Sequence, residues 1–113
     1  MTKNQTISWA DVIAVHKTQQ AVNFVDEKIS SIICSPTQNK FVSENKVVFS
    51  IPARKHYLKL IGNMKLRISD NGPIHLFVKK DKNIWTDAGF FKLISFEEGS
   101  VETDFTLQKI ELI

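Results

Sequence analysis

No run of apolar residues in this 113-residue sequence approaches the roughly 18 that a membrane-spanning helix needs. The opening "MTKNQTISW" also lacks the cationic-then-apolar order of a secretory signal, so a soluble, cytoplasmic protein is the expectation. There is one cysteine, Cys34, which excludes an intrachain disulfide and fits a reducing compartment. Four scattered glycines, Gly62, Gly72, Gly89 and Gly99, leave no glycine-rich phosphate cradle and remove nucleotide hydrolysis from consideration. His16, His56, His75 and Cys34 stand singly, without the short regular spacing of metal ligands, so neither a metal nor another cofactor is expected. Cys34 has no base beside it to activate a nucleophile.

What remains, 42% hydrophobic residues over 113 positions, is enough to close one core, and residues 1–113 are read as one domain. The charge is unevenly spread. Arg54, Lys55, Lys59, Lys65, Arg67, Lys79, Lys80 and Lys82 face two acids, Asp70 and Asp81, so residues 54–82 carry +6 within a chain whose net charge is +3. The last segment compensates with Asp87, Glu97, Glu98, Glu102, Asp104 and Glu111. A basic block attracts a polyanion, nucleic acid first, or an acidic protein; a solvated face balanced by an acidic neighbour is the plainer alternative.

Ser8 before "WADVIAVH" reads as a helix cap, with Asp11 in the first turn and Trp9, Val12, Ile13 and His16 on one face. His16 on that face reads as a packed core histidine. In "AVNFVDEKISSIIC", Val22, Val25, Ile29 and Ile32 keep helical spacing, although Val22, Phe24 and the Ile32–Ile33 pair would also suit short strands. The spacing predicts a second helix, ended by Pro36 and a loop "SPTQNK", which makes residues 1–36 a helical part and residues 46–113 a sheet-dominated one. "KVVFSIP" alternates as a strand stopped by Pro52. "RKHYLKLIGNMKLRIS" places Tyr57, Leu60, Ile61, Met64 and Ile68 on one helical stripe with Lys55 and Lys59 opposite, and Gly62 inside. After a turn at "SDNGP", strands are predicted at "IHLFVK" and "GFFKLISFE", the latter followed by an "EGS" turn and a last strand, "VETDFTLQKIEL". In the last strand Val101, Thr103, Phe105 and Leu107 share a face that Ile110 and Leu112 do not, so a β-bulge near Gln108 or Lys109 is expected. Of Phe90 and Phe91, one is core and the other at least partly exposed or covered by a helix. The fold class is α+β.

For chemistry, the pattern nearest an enzyme is an acid-x-lysine pair of nuclease type, Glu44-Asn45-Lys46 or Asp26-Glu27-Lys28, with Asp11 or Asp26 as a further acid. Such triplets occur by chance in charged chains, and no partner acid sits at a strand end; no enzyme is expected. Trp85 stands among Lys79, Lys80, Lys82 and Asn83 in what reads as a cationic turn. An indole there can stack on a base while lysines hold phosphates. The competing reading folds Trp85 back over the sheet edge as packing.

From Gly62 to Leu112, "GNMKLRISDNG", "PIHLFVKKDK", "WTDAGFFKLISFEEGS" and "DFTLQKIEL" run in the order and spacing of the distal half of an SRA (SET-and-RING-associated, or YDG) domain of the PUA-like superfamily, which this chain resembles over about fifty residues. The family's Tyr-Asp-Gly step reads Asp87-Ala88-Gly89, with Trp85 nearest the tyrosine, and His75 stands for the arginine of the first strand. The tyrosine- and glycine-rich loop that forms the family's modified-base pocket has no counterpart in residues 1–53. The resemblance implies a mainly antiparallel β pseudo-barrel that binds DNA or RNA, often modified.

The expectation is thus a non-enzymatic nucleic-acid-binding module, for DNA in preference to RNA and with modified DNA as a candidate ligand, built on a basic face and an aromatic-bearing turn. Arg54, Lys55, Lys59, Lys65, Arg67, Lys79, Lys80 and Lys82 would engage phosphates, and His56, Tyr57 and Trp85 would contact a base. The alternative is a small interaction factor, an inhibitor or immunity protein of a phage or bacterial conflict system, using the same cations on an acidic protein partner. A concave, base-sized pocket beside the basic block separates the two.

Overall fold

The first helix begins where its cap chemistry places it. Ser8 Oγ accepts from the Asp11 N–H at 3.3 Å while Asp11 Oδ2 accepts from the Ser8 N–H at 3.1 Å, a reciprocal capping box that starts α1 (Trp9–His16). Lys17, in the left-handed region at φ +62°, ends it. The computed structural model describes residues 5–26, 28–35, 39–43, 45–70 and 72–110. The expected loop residues Pro36, Thr37 and Gln38, the acids Glu27 and Glu44, and Leu112 lie outside them.

Among the described residues there are two helices and eight strands: β1 (Gln5–Ile7), β2 (Val22–Val25), β3 (Lys28–Cys34), β4 (Lys40–Ser43), β5 (Lys46–Pro52), β6 (Ile74–Asp81), β7 (Ile84–Glu98) and β8 (Glu102–Lys109), with α2 (Leu58–Asp70) entered through a 3₁₀ turn at Lys55–Tyr57. They form one sheet in the order β2-β3-β6-β7-β8-β5-β4, with β1 added on β7; β3 and β6 run parallel and the other pairs antiparallel. The 15-residue β7 gives its first half to β6 and β1 and its second half to β8, so the sheet curls into a half-barrel. The chain is an α+β protein with a mainly antiparallel sheet.

The predicted second helix is overturned: Val22–Val25 and Lys28–Cys34 are the antiparallel strands β2 and β3, with Asp26 after β2 at φ +52°. Their register slips between Asn23 and Phe24, where the pairing jumps from Ser31 to Ile29, so Ile29 and Ile32 both reach the main core three residues apart without a helix. Residues 1–36 are therefore not a helical part; among the described residues they hold one helix and strands β1 to β3.

Alternation along β6 sorts the interior into two layers. Ile74, Leu76 and Val78 join the main core with Ile61 and Met64 of α2, Phe91 and Leu93 of β7, and Phe105 and Leu107 of β8. Phe77 faces the other way, into a smaller cluster with Val12 of α1 and Trp85, flanked by Ile7, Trp9 and Ile33. The helices thus cover opposite faces of the β3–β6–β7 region. His16 is fully buried in the α1 layer, as a core histidine, between Ser31 Oγ at 2.7 Å and the Gln20 carbonyl at 2.6 Å. Phe91 is core while Phe90 is half-buried against the His75 ring, 4.7 Å between centroids.

The Asp87-Ala88-Gly89 step is a bulge in β7. Pairing with β6 jumps from Leu76–Gly89 to Phe77–Asp87, Gly89 takes φ +84°, and Asp87 Oδ1 accepts from the Gly89 N–H at 2.9 Å. An added Cβ would meet only Lys109 Cε at 3.6 Å, so space is available and the conformation is the obstacle. Gly89→Ala is expected to lower unfolding stability by about 1–2 kcal/mol, read from the urea midpoint. A second slip sits in β7 between Leu93 and Ser95. This corrects the bulge expected at Gln108 or Lys109: β8 pairs without interruption through both and its ladder to β7 ends at Lys109. Val101 is likewise not on the inward face; it precedes β8 and is 78% exposed.

Candidate nucleic-acid interface

The β6–β7 connection is tighter than the sequence suggests, and this relocates its tryptophan. Asp81 already pairs with Ile84, leaving Lys82 and Asn83 as the turn, with Asn83 at φ +55°, a conformation asparagine tolerates. Asn83 Oδ1 accepts the Trp9 N–H at 3.0 Å and so ties the turn to the start of α1. Trp85 is therefore not in the turn. It is a β7 residue paired with Lys79 on one side and Ile7 on the other, only 7% exposed, with its ring 5.1 Å from that of Trp9 at 37°. The packing reading holds for most of its surface.

Its remaining edge opens on a cavity of about 680 Å³ lined by Trp9, Gln19, Ala21, Ile33, Cys34, Ser35, Lys79, Asn83 and Trp85. Ligand sites commonly occupy about 300–1,000 Å³, so a base and its sugar have room. Lys79, Gln19 and Asn83 are exposed around it, while Trp9 and Ile33 are half-buried. Burial pushes the Cys34 thiol up to about 12, which keeps it protonated and unreactive. The concave site beside cationic residues is thus present; of its lining only Lys79 and Trp85 were nominated as site residues by sequence reasoning, and Trp9, Gln19 and Ser35 among the others were not. Trp9 reads as one more apolar residue on the face of α1; only its pairing with the other tryptophan distinguishes it.

The rest of the basic segment is divided. His56 and Lys59 line a second cavity of about 590 Å³ with Phe24, Leu60 and Asn63, on the α2 side of the sheet. Tyr57 is half-buried with its ring 4.2 Å from that of His56, and Arg54 and Lys55 are exposed at the 3₁₀ turn. Lys65 pairs with Glu98 and lies 4.8 Å from the Phe96 ring centroid. Arg67 donates from Nη2 to the Pro73 carbonyl at 3.1 Å, fastening the end of α2 to the start of β6. Lys80, before the turn, and Lys82, within it, are exposed. The +6 segment is therefore not one surface: Lys79 and Trp85 come together with Trp9, whereas His56 and Lys59 gather behind the sheet.

One further cluster was not anticipated. His75 Nε2 donates to Asp87 Oδ1 at 2.7 Å, and the imidazole lies on Phe77 with centroids 4.2 Å apart. Both residues appear in the SRA-like pattern, yet their pairing depends on the Gly89 bulge, which sequence spacing does not reveal. Among the described residues no three His, Cys, Asp or Glu side chains converge as metal ligands.

No protein-family model and no curated protein matches the chain. Solved structures do match by shape. The SRA domain of SUVH5 in complex with methylated CHH DNA superposes with a TM-score of 0.72 at 15% identity, covering 91% of this chain and 84% of that one. The same domain bound to fully hydroxymethylated CG DNA gives 0.67 at 16% identity, over 88% and 81% of the two chains. Arabidopsis thaliana SUVH6 gives 0.65 at 14% identity over 88% of this chain and 23% of that protein. The chain has an SRA-like fold.

Proposed function

We propose that this SRA-like chain is a non-enzymatic DNA-binding module that holds one unstacked base in the Trp9–Trp85 cavity, with Lys79, Lys80 and Lys82 on the adjoining phosphates. The cavity carries the reading: an aromatic pair with a lysine at its edge combines stacking, worth about 1–3 kcal/mol per base, with phosphate attraction. DNA is favoured over RNA because the solved SUVH5 domains of this fold are bound to methylated and hydroxymethylated DNA. Methylated and hydroxymethylated duplexes are for the same reason the first ligands to test.

Three phosphate contacts give a slope of about −2.7 in log affinity against log salt, so affinity for duplex DNA is expected to fall about 40-fold between 50 and 200 mM salt. Fluorescence anisotropy with unmodified, methylated and hydroxymethylated duplexes and an RNA of the same sequence measures this. The double variant Lys79→Glu/Lys82→Glu, both exposed positions, should flatten the slope. Absence of salt-sensitive binding at micromolar protein, together with capture of one acidic protein, would replace this reading with the interaction-factor one.

A further inference from the structure

We infer that the open edge of β2 and the cavity beside it form a docking site for a partner protein, taken up as an extended acidic segment with one large apolar side chain. The site lies on the α2 side of the sheet, apart from the Trp9–Trp85 cavity, and does not depend on the DNA-binding reading. β2 ends the strand order, and among the described residues it is bonded to β3 alone. An edge strand leaves a row of backbone donors and acceptors on its outer side. Charges, a proline or a bulge usually blunt such an edge, yet β2 reads "VNFV" and has neither charge nor proline; only its length of four residues limits it. The bulge in the pair belongs to β3: β2 steps from Asn23 to Phe24 while the partner jumps from Ser31 to Ile29, so β2 itself holds no extra residue. Phe24 and Val25 are 40% and 51% exposed.

The cavity of about 590 Å³ next to this edge supplies the side-chain recognition that strand addition uses for specificity. Phe24 of β2 and Leu60 of α2 give it apolar walls, while His56 and Lys59 are exposed at it. No carboxylate lines it among the described residues; Asp26, which follows β2, is exposed and not part of the lining. From Asn45 to Ser69 the sequence holds no acid. Lys65 there is engaged by Glu98 and Arg67 by the Pro73 carbonyl, whereas Arg54, Lys55 and Lys59 are exposed around the start of α2. A cationic rim on an apolar floor is complementary to carboxylates that flank an apolar residue. A nucleic acid would meet the cations, but it cannot continue a β-sheet, and an exposed apolar strand beside them is a protein-facing feature.

Fluorescence anisotropy of the full chain with a labelled Glu-Val-Glu-Phe-Glu-Val-Glu peptide tests this. The comparison probes are the same peptide with serine for phenylalanine, one with lysine for every glutamate, and a short single-stranded DNA. The acidic phenylalanine peptide is expected to bind at concentrations about tenfold or more below those of both altered peptides. N-methylation of its alternate amides, which removes donors to the strand edge, should weaken binding about tenfold or more in one of the two phases. Lys59→Glu, at an exposed position of α2, should weaken the acidic peptide about tenfold with far-UV circular dichroism unchanged. Equal affinity of the serine peptide, indifference to N-methylation in both phases, or no saturable binding of the acidic peptide overturns the inference. So does displacement of the peptide by the single strand from a site that Lys59→Glu abolishes for both, which would make the groove a nucleic-acid contact.

Discussion

Trp85→Ala is expected to destabilise the protein by about 3–5 kcal/mol, a large share of the 5–15 kcal/mol that holds a domain of this size together. The side chain is nearly inaccessible, shares a cluster with Val12 and Phe77, and supports the half-buried Trp9 ring at 5.1 Å. Truncation leaves a void under α1 that the β1–β7 and β6–β7 ladders on either side prevent from collapsing. Urea unfolding followed by far-UV circular dichroism measures the loss; a change below about 1 kcal/mol would show that the indole is not packed as described. The same variant is a poor test of ligand binding, because it removes the α1 layer and the cavity wall together. Lys79, exposed and on the same cavity, separates the two questions.

Acidification is expected to weaken the fold through His16. Its Nε2 donates to the Gln20 carbonyl, so the neutral ring accepts from the Ser31 hydroxyl at Nδ1. Desolvation holds its pKa below the ordinary 6.5, against a smaller opposing contribution from the Gln20 carbonyl. A histidine depressed in the folded state binds its proton more readily when unfolded, so its stability contribution is complete above about pH 6.5 and is lost as pH falls towards the folded value. The slope over that interval reaches at most about 1.4 kcal/mol per pH unit. Urea midpoints at half-unit steps from pH 8 to 5 should be flat and then decline. In His16→Gln the decline between pH 6.5 and 5 should shrink; an unchanged profile would place the acid sensitivity elsewhere.

Local chemistry made much of the fold legible. Ser8 and Asp11 announce α1 because the capping box lies within four residues, and "KVVFSIP" and the stripe from Tyr57 to Ile68 keep their periods because each buries a single face. The β2–β3 hairpin was misread because its bulge at Asn23–Phe24 resets the two-residue period, and the surviving spacing imitates a helix. Trp85 was misplaced because a two-residue turn and a turn of several residues carry the same lysine-rich composition, and its partner Trp9 lies far away in sequence. The cavity was legible only as a requirement. Lys79 and Trp85 could be nominated from their neighbours, but Gln19, Ser35 and Trp9 reach it through pairings of distant strands that no local pattern encodes. Lys65 and Arg67 illustrate the converse: a basic residue in sequence can be committed to Glu98 or to a backbone carbonyl once folded.

The bond from Trp9 to Asn83 spans 74 positions, and β1 beside it is paired with the start of β7, Trp85 to Asp87. Although α1 also packs on β3 through His16 and Ser31, its Trp9 end has nothing to dock on during synthesis until β6 and β7 have emerged, and closing so long a loop costs entropy before any contact repays it. The hairpin β6–β7 and its ladder to β8 are local and can form first; α1 and β1 then arrive as a late layer. The two walls of the cavity thus belong to opposite stages of folding, and the aromatic pair is assembled only when the N-terminal segment has found its place.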